Sequence, residues 1–208
     1  MIQEQAAGME KGAAATNPDG FRIDLSQSNH RWDGRTKVRR VLWNAVWLLL
    51  FRPTPKRLGN SFRIFLLRRF GAVIEGTPLV EPSCKILQPW QLEIGACSAI
   101  GHHVEIYNYA RVTIGPMSVV SQYSFLCTGT HDYTDPFMPL IWFPIAIGAE
   151  CWVASGVYIA PGVTINDGVV VGARSVVTKT LPPWTVCAGH PCKVLKDRLI
   201  HAPVRSMR

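Results

Sequence analysis

The chain has 208 residues, of which 48% are hydrophobic and 17% are charged, and its formal net charge is +8. This composition excludes a disordered chain and fits one domain with a sizeable core. The longest apolar run, residues 41–51, is too short to span a bilayer as a helix. The N-terminus lacks the pattern of a signal peptide, and the six cysteines include no CxxC pair. We therefore expect a cytoplasmic protein with reduced cysteines.

The first 73 residues are predicted to form an arm followed by two helices. Residues 1–35, rich in Ala, Gln, Asn and Gly, are predicted to be a flexible arm, and residues 36–73 a basic helical segment. The first helix runs from Thr36 to Phe51, before two prolines, and Asn60 or Ser61 caps the second. Apolar residues recur at helical spacing at Val38, Val41, Leu42, Ala45, Val46 and Leu49 in the first helix, and at Phe62, Phe65, Leu66 and Phe70 in the second.

From residue 74 onward an aliphatic residue returns every six positions. This period fits neither a helix nor an ordinary two-sided strand, and it indicates short strands joined by tight corners, three to each coil of a triangular prism. The first three coils begin at Ile74, Ile94 and Ile114, and Gly often follows the aliphatic residue, where we expect it to supply the positive φ of a corner. The aliphatic positions are Ile74, Val80, Ile86, Ile94, Ile100, Ile106, Ile114, Val120, Leu126, Ile147, Val153, Ile159, Ile165, Val171 and Val177.

The fold predicted from this repeat is an all-β, parallel β-helix over residues 74–190. The step from Ile114 to Ile147 is 13 residues longer than the 20-residue coils before it, so we predict a 13-residue protruding loop over residues 132–144. This loop is aromatic and proline-rich. Residues 191–208 are predicted to be a basic C-terminal tail.

Two segments within the repeat carry a family resemblance: WVASGVYIAPGVTINDGVVVGARSVVTKTLPPWTVCAGHPCKV at residues 152–194 and CTGTHDYTDP at residues 127–136. They resemble the hexapeptide-repeat sugar O-acetyltransferases of the maltose and galactoside type, and most closely the branch linked to colanic acid and other exopolysaccharides. The resemblance implies a left-handed β-helix, a homotrimer and direct acetyl transfer from acetyl-CoA to a sugar hydroxyl of a colanic-acid-like precursor. We expect no metal cofactor.

The resemblance also assigns site residues. It implies that His131 is the general base, for which neutral imidazole is suited near pH 7; the alternative is an exposed turn histidine. Asn108 is either a substrate-binding residue or an ordinary polar corner residue. Asp132 could orient the imidazole or bind the sugar, or it could likewise be an ordinary corner residue. Tyr133 is a further substrate-binding candidate. The acetyl-CoA-binding candidates are Trp152, Ser155, Ala173, Thr178, Lys179, Lys193 and Lys196.

Two other functions remain open. One is a non-enzymatic trimeric scaffold that binds a partner. The other is a zinc hydratase similar to the β-helical carbonic anhydrases, for which His102, His103 and His131 are the histidines within the repeat. The adjacent pair is expected to diverge, and a third ligand at suitable spacing is missing. Cys84 and Cys151 occupy small inward positions of the repeat and are predicted to be inert structural residues.

The basic charge lies outside the repeat. Residues 1–73 carry net +8, residues 74–180 net −4 and residues 181–208 net +4. Trp43 and Trp47 lie one helical turn apart in the helical segment. That segment is either a cap over the open end of the prism or an interfacial helix on the anionic inner membrane, with which the protein would then be peripherally associated. The flanking basic residues are Arg39, Arg40, Arg52, Lys56 and Arg57. No nucleic-acid motif is present, and we expect no nucleic-acid partner.

Overall fold

The computed structural model of the chain describes residues 20, 22–27 and 32–201. The chain divides into two compact units, one of residues 1–30 with 131–140 and the other of residues 31–130 with 141–208. Most of the predicted arm lies outside the described residues. Within the described part of the chain, no helix combines the length and the apolar character needed to cross a membrane.

Two helices precede the repeat, as predicted. Helix α1 (Gly34–Val46) continues into a π-helical turn (Trp47–Phe51), and helix α2 spans Asn60–Arg69. The carboxylate of Asp33 accepts a hydrogen bond from the backbone N–H of Thr36 and thereby caps α1. Because of this cap, α1 begins two residues earlier than the predicted start at residue 36. Single 3₁₀ turns lie at Leu25–Gln27 and Pro89–Gln91.

The repeat folds into three sheets, and from Val73 to Val177 successive strands of the coils belong to sheets 1, 2 and 3 in turn, apart from the strands Gly129–His131 and Leu140–Trp142. Sheet 1 contains β1 (Val73–Ile74), β4 (Leu92–Ile94), β7 (Val112–Ile114), β12 (Ile145–Ile147) and β15 (Thr164–Ile165). Sheet 2 contains β2 (Leu79–Val80), β5 (Ala99–Ile100), β8 (Val119–Val120), β13 (Trp152–Val153), β16 (Val170–Val171), β18 (Thr185–Gly189) and β19 (Cys192–Asp197). Sheet 3 contains β3 (Lys85–Ile86), β6 (Glu105–Tyr107), β9 (Phe125–Cys127), β14 (Tyr158–Ile159) and β17 (Val176–Val177).

The aliphatic positions of the repeat form the core of this parallel β-solenoid. Each of the fifteen side chains is at most 8% exposed. Equivalent residues stack in register from coil to coil, as when Ile94 pairs with Ile74 on one side and Ile114 on the other. Ile147 continues the same column beyond Ile114. The predicted fold and its core are therefore confirmed: each short strand points one aliphatic residue of the repeat inward, and small or β-branched corner residues such as Val104 and Val157 are buried beside them.

The glycines that follow the aliphatic residues have a different role from the predicted one. Gly95, Gly115 and Gly148 are not among the residues with positive φ. A Cβ added at Gly115 would lie 2.6 Å from the carbonyl carbon of Gly148, one coil away. Glycine is thus required here by the close approach of neighbouring coils. Positive φ instead occurs two residues later, at non-glycine residues such as Met117 and Glu150.

Two predicted segment boundaries differ from the structure. Strand β10 (Gly129–His131) forms a small two-stranded sheet with β11 (Leu140–Trp142), so the predicted loop over residues 132–144 is not a loop throughout. Likewise the predicted tail begins with β19, which pairs antiparallel with β18. The guanidinium of Arg198 then donates to the carbonyls of Glu150 and Gly168, which holds this residue against the coils.

The helices cover the first coil of the solenoid. The indole N–H of Trp43 donates to the carbonyl of Ile86 at 2.7 Å, and that of Trp47 donates to the carbonyl of Cys84 at 2.8 Å. From α2, the amide of Asn60 binds the backbone of residues 78 and 80, and Arg63 Nε donates to the carbonyl of Val80. These side chains supply hydrogen bonds that a preceding coil would otherwise make, which is the expected action of a cap.

The structure shows which faces of the two helices are buried. Trp43 and Phe51 of the first helical region are fully buried, whereas Val41 and Leu49 of the predicted stripe are 68% and 69% exposed. In α2 the buried side chains are Arg63, Ile64, Leu66 and Leu67, whereas Phe62 and Phe65 are exposed. The helix is capped by Gly59 rather than by a polar side chain, because the Asn60 amide is used on the coil.

Candidate active site

His131 ends strand β10, and its imidazole is exposed. Its Nδ1 lies 2.6 Å from the carbonyl oxygen of Met138 in the same unit. A carbonyl oxygen only accepts hydrogen bonds, so Nδ1 must carry the hydrogen. In the neutral ring the lone pair is then on Nε2. This arrangement leaves an accessible imidazole nitrogen that can take up a proton.

Asp132 follows directly and forms a tight turn. Its carboxylate accepts hydrogen bonds from the hydroxyl of Thr134 at 2.6 Å and from the backbone N–H of the same residue at 3.0 Å. These two bonds hold the pKa of the Asp132 carboxyl below its usual value. The Nδ1 partner of His131 is the Met138 carbonyl, so the hypothesis that Asp132 orients the imidazole is not supported. Tyr133 projects outward and is 83% exposed.

Asn108 lies inside the solenoid, not on its surface. Its side chain is fully buried, accepts from the backbone N–H of Gln88 and donates to the carbonyls of Gln88 and Gln91. Each polar atom of the amide is therefore engaged with the preceding coil. Of the two interpretations left open by the sequence, this geometry favours the structural corner residue.

The predicted acetyl-CoA residues fall into three places in the second unit. Trp152 lies on the outer face of sheet 2, where the register aligns it with Val170, then Val186 and then Lys196 on β19. Lys193, also on β19, pairs with Ala188. Trp152 is half exposed, and both lysines are exposed. Sheet 2 thus brings an indole and two ammonium groups onto one end of the solenoid.

The other acetyl-CoA candidates lie at the corners. Ser155 and Ala173 occupy equivalent positions one coil apart, between sheets 2 and 3, and the N–H of Arg174 donates to the carbonyl of Ser155. Thr178 and Lys179 follow β17 and lie at the end of sheet 3. Ser155 and Ala173 therefore lie at the corner where the strands of sheet 2 end. Thr178 and Lys179 lie at a different corner, where the strands of sheet 3 end.

A cluster of outward-facing aromatic side chains was not anticipated from the sequence. Tyr109 stacks on Trp32 with ring centroids 5.0 Å apart and also lies against Trp142 at 6.5 Å. The hydroxyl groups of Tyr107 and Tyr109 are 2.8 Å apart, and burial together with this contact raises the pKa of Tyr109 to about 12. Part of the signal was available in the sequence: Ile106 occupies an inward position of the repeat, so its strand neighbour Tyr107 must point outward.

Comparison with known proteins identifies the family. The family description "Bacterial transferase hexapeptide (six repeats)" matches residues 144–179. Over 182 residues the chain is 43% identical to an Escherichia coli (strain K12) protein named as a colanic acid biosynthesis acetyltransferase, WcaF, with 88% of this chain and 93% of that protein covered. The chain belongs to the hexapeptide-repeat acetyltransferases. The resemblance found in the sequence is thereby confirmed.

Solved structures of hexapeptide-repeat acetyltransferases share the fold. A maltose O-acetyltransferase from Clostridium difficile 630 matches with a TM-score of 0.73 and 28% identity, covering 81% of this chain and 90% of that one. A galactoside acetyltransferase in complex with coenzyme A matches with a TM-score of 0.73 and 26% identity, covering 83% and 88%. The match extends over the solenoid and beyond it, because the coverage exceeds the length of the repeat alone.

The other two histidines of the repeat in this hexapeptide-repeat acetyltransferase contact neighbouring side chains, and Cys84 and Cys151 are buried in the core. His102 Nδ1 lies 2.6 Å from the hydroxyl of Ser83, and the His103 ring stacks on Tyr123. Among residues 20, 22–27 and 32–201, no three His, Cys, Asp or Glu side chains come together as metal ligands. The hydratase alternative therefore finds no ligand set there. Burial raises the pKa of both the Cys84 and the Cys151 thiols, as expected of inert core residues.

Proposed function

We propose that this acetyltransferase transfers the acetyl group of acetyl-CoA to a sugar hydroxyl of an exopolysaccharide precursor of the colanic-acid type. The observation that carries the proposal is the hydrogen bond between His131 Nδ1 and the Met138 carbonyl, which leaves Nε2 as the basic nitrogen. The names of the relatives support the reaction and the class of acceptor.

In the proposed reaction His131 is the general base. Nε2 removes the proton of the sugar hydroxyl while the hydroxyl oxygen attacks the carbonyl carbon of the thioester. The C–S bond then breaks, and the imidazolium returns the proton to the departing CoA thiolate. The Met138 carbonyl accepts a hydrogen bond from Nδ1 throughout, so it stabilises the positive ring that forms. No acyl-enzyme is needed, since the oxygen attacks the donor directly.

The end of sheet 2 is the proposed site for the donor. Lys193 and Lys196 are exposed ammonium groups on β19 and suit the phosphates of CoA. Trp152 offers an indole for packing, and the small side chain of Ala173 allows close approach to the pantetheine arm. Thr178 and Lys179 at the other corner belong to the same proposal, in which a neighbouring subunit of a homotrimer completes the groove.

The acceptor side of the proposal rests on His131 and its neighbours. Tyr133 is exposed next to the base and is proposed to contact the sugar. Asp132, engaged with Thr134, is proposed to shape the turn that carries both residues. Asn108 is omitted from the acceptor site because its amide is fully used inside the solenoid.

A transfer assay with labelled acetyl-CoA tests the proposal. The acceptors are a panel of free sugars, nucleotide sugars and lipid-linked oligosaccharides, with the product ester located by mass spectrometry. We expect an O-acetyl ester on at least one sugar and release of CoA in equal amount. Calorimetry with acetyl-CoA is the companion measurement. No donor binding at millimolar concentration would favour the non-enzymatic scaffold, and transfer to an amine instead of a hydroxyl would contradict the proposed acceptor class.

A further inference from the structure

Helix α1, together with the π-helical turn Trp47–Phe51 that continues it, carries two apolar stripes on opposite sides. Trp43, Trp47 and Phe51 repeat at intervals of four residues and face the first coil, to which both indoles are hydrogen-bonded. The second stripe contains Val38 and Val41, which are 59% and 68% exposed. It continues through Leu42, Leu48 and Leu49. We call these five residues the outer stripe. Because the tryptophans fix the orientation of the helix, the outer stripe faces away from the coil.

Helix α2 adds further exposed apolar surface. Leu58, Phe62 and Phe65 follow one another at helical spacing and are 91%, 41% and 55% exposed. The opposite side of α2 is held by Arg63, whose guanidinium donates to the carbonyls of Val80 and Pro55 and to the hydroxyl of Thr54. Neither helix can bury its outer side chains by rotating, since its inner side chains are bonded to backbone.

The charged residues of these helices and of the segment between them are all basic, although Asp33 caps α1 and Glu81 of the first coil pairs with Lys56. Residues 34–74 include ten Lys or Arg and no Asp or Glu. Among the basic residues, Arg35, Lys37, Arg57 and Arg69 are exposed. An apolar stripe bordered by cations is complementary to an anionic lipid surface, where aliphatic side chains enter the acyl boundary and cations meet headgroups. A second copy using the same face would bring like charges together.

We infer that the outer stripe of α1 is a membrane-contact surface that binds the interface of anionic lipid bilayers. The contact is interfacial, since no described helix can cross a bilayer. Of the two roles that the sequence leaves open for this segment, Trp43 and Trp47 serve the cap, because both attach α1 to the coil. The aliphatic outer stripe is the surface that remains for lipid. The inference does not depend on the identity of the sugar acceptor or on the role of His131.

Vesicle flotation with the full chain tests this inference. The probes are vesicles of phosphatidylglycerol with phosphatidylethanolamine, and vesicles of phosphatidylcholine alone. We expect binding to the anionic vesicles that weakens as salt is added. The triple variant Val41→Ser, Leu42→Ser, Leu49→Ser should partition at least about tenfold less, because three exposed aliphatic side chains no longer enter the bilayer. The matched control is Leu199→Ser, Ile200→Ser, which removes equally exposed apolar residues elsewhere and should bind like wild type.

A charge variant and light scattering complete the test. Replacing Arg35, Lys37, Arg57 and Arg69 by Gln should remove the preference for anionic vesicles while the apolar stripe is intact. All variants should keep the molar mass and circular dichroism of wild type. The inference is overturned if wild type does not float with anionic vesicles, or if the triple serine variant floats equally well. A triple variant that loses its oligomeric mass but keeps vesicle binding would identify the outer stripe as an interface between copies of the chain.

Discussion

Asn108 and His131 are polar side chains that bind backbone carbonyls, with opposite consequences for a substrate. The amide of Asn108 uses its oxygen and its nitrogen on the preceding coil, so the residue is part of the fold. The imidazole of His131 uses only Nδ1 and leaves Nε2 as the basic nitrogen. Asparagine and histidine are both residue types that can bind a substrate. The two residues differ in how many of their polar atoms are already hydrogen-bonded within the protein.

Replacing Asn108 by Ala should lower stability. The change leaves the N–H of Gln88 and the carbonyls of Gln88 and Gln91 without their partner, at a cost of about 1–3 kcal/mol for each group left unsatisfied in the interior. Urea unfolding measures this loss. Asn166→Ala is the control, because the half-buried Asn166 amide donates a single bond, to the carbonyl of Leu181, and its loss should cost less. Unchanged unfolding of the Asn108 variant with a raised KM for the sugar would restore the substrate-binding interpretation.

At the level of elements, the coils depend on glycine for close backbone approach. Gly115 lies so near Gly148 that any Cβ would collide with its backbone. Backbone cannot move aside as a flexible side chain can, so the coils would have to separate. The strands of the solenoid contain two or three residues each and depend on their neighbours above and below. Local separation therefore weakens the hydrogen bonds of two coils.

We expect Gly115→Ala to lower the free energy of unfolding by about 1–3 kcal/mol, the usual cost of overpacking. Thermal unfolding followed by circular dichroism measures the effect. Gly34→Ala is the matched control: it adds the same methyl group at the start of α1, where nothing lies within 4 Å. If the two variants melted at the same temperature as wild type, close coil approach would not be the reason for glycine at position 115.

The sequence predicts the interior of the coils better than the buried faces of the helices. All fifteen aliphatic positions are buried because a six-residue period leaves one consistent interior. The helices were harder, since α1 has one stripe of aliphatic residues and another of aromatic residues. Spacing alone does not tell which stripe faces the coil. That choice depends on the carbonyls of Cys84 and Ile86, which accept from indole N–H groups and are distant in sequence.

For the whole molecule, the site residues were less predictable than the fold. The resemblance pointed to His131, but its tautomer depends on the Met138 carbonyl seven residues away, which no pattern indicates. The aromatic cluster around Tyr109 joins Trp32 to Trp142 across distant parts of the chain. Only the folded chain brings such residues together, Tyr109 from the coils, Trp142 from β11 and Trp32 from the segment that precedes α1. The family membership shows an acetyltransferase, and the hydrogen bond of His131 to the Met138 carbonyl supports the proposal that this residue is the base.

The central claim is that His131 is the base for acetyl transfer to a sugar hydroxyl. The measurement is the initial rate of CoA release by wild type and by His131→Ala at saturating acetyl-CoA with the best acceptor of the panel. We predict that the variant folds and binds acetyl-CoA like wild type, while its rate falls about 10²–10⁴-fold because only general-base catalysis is lost. A variant that folds and retains a near-wild-type rate would contradict the account.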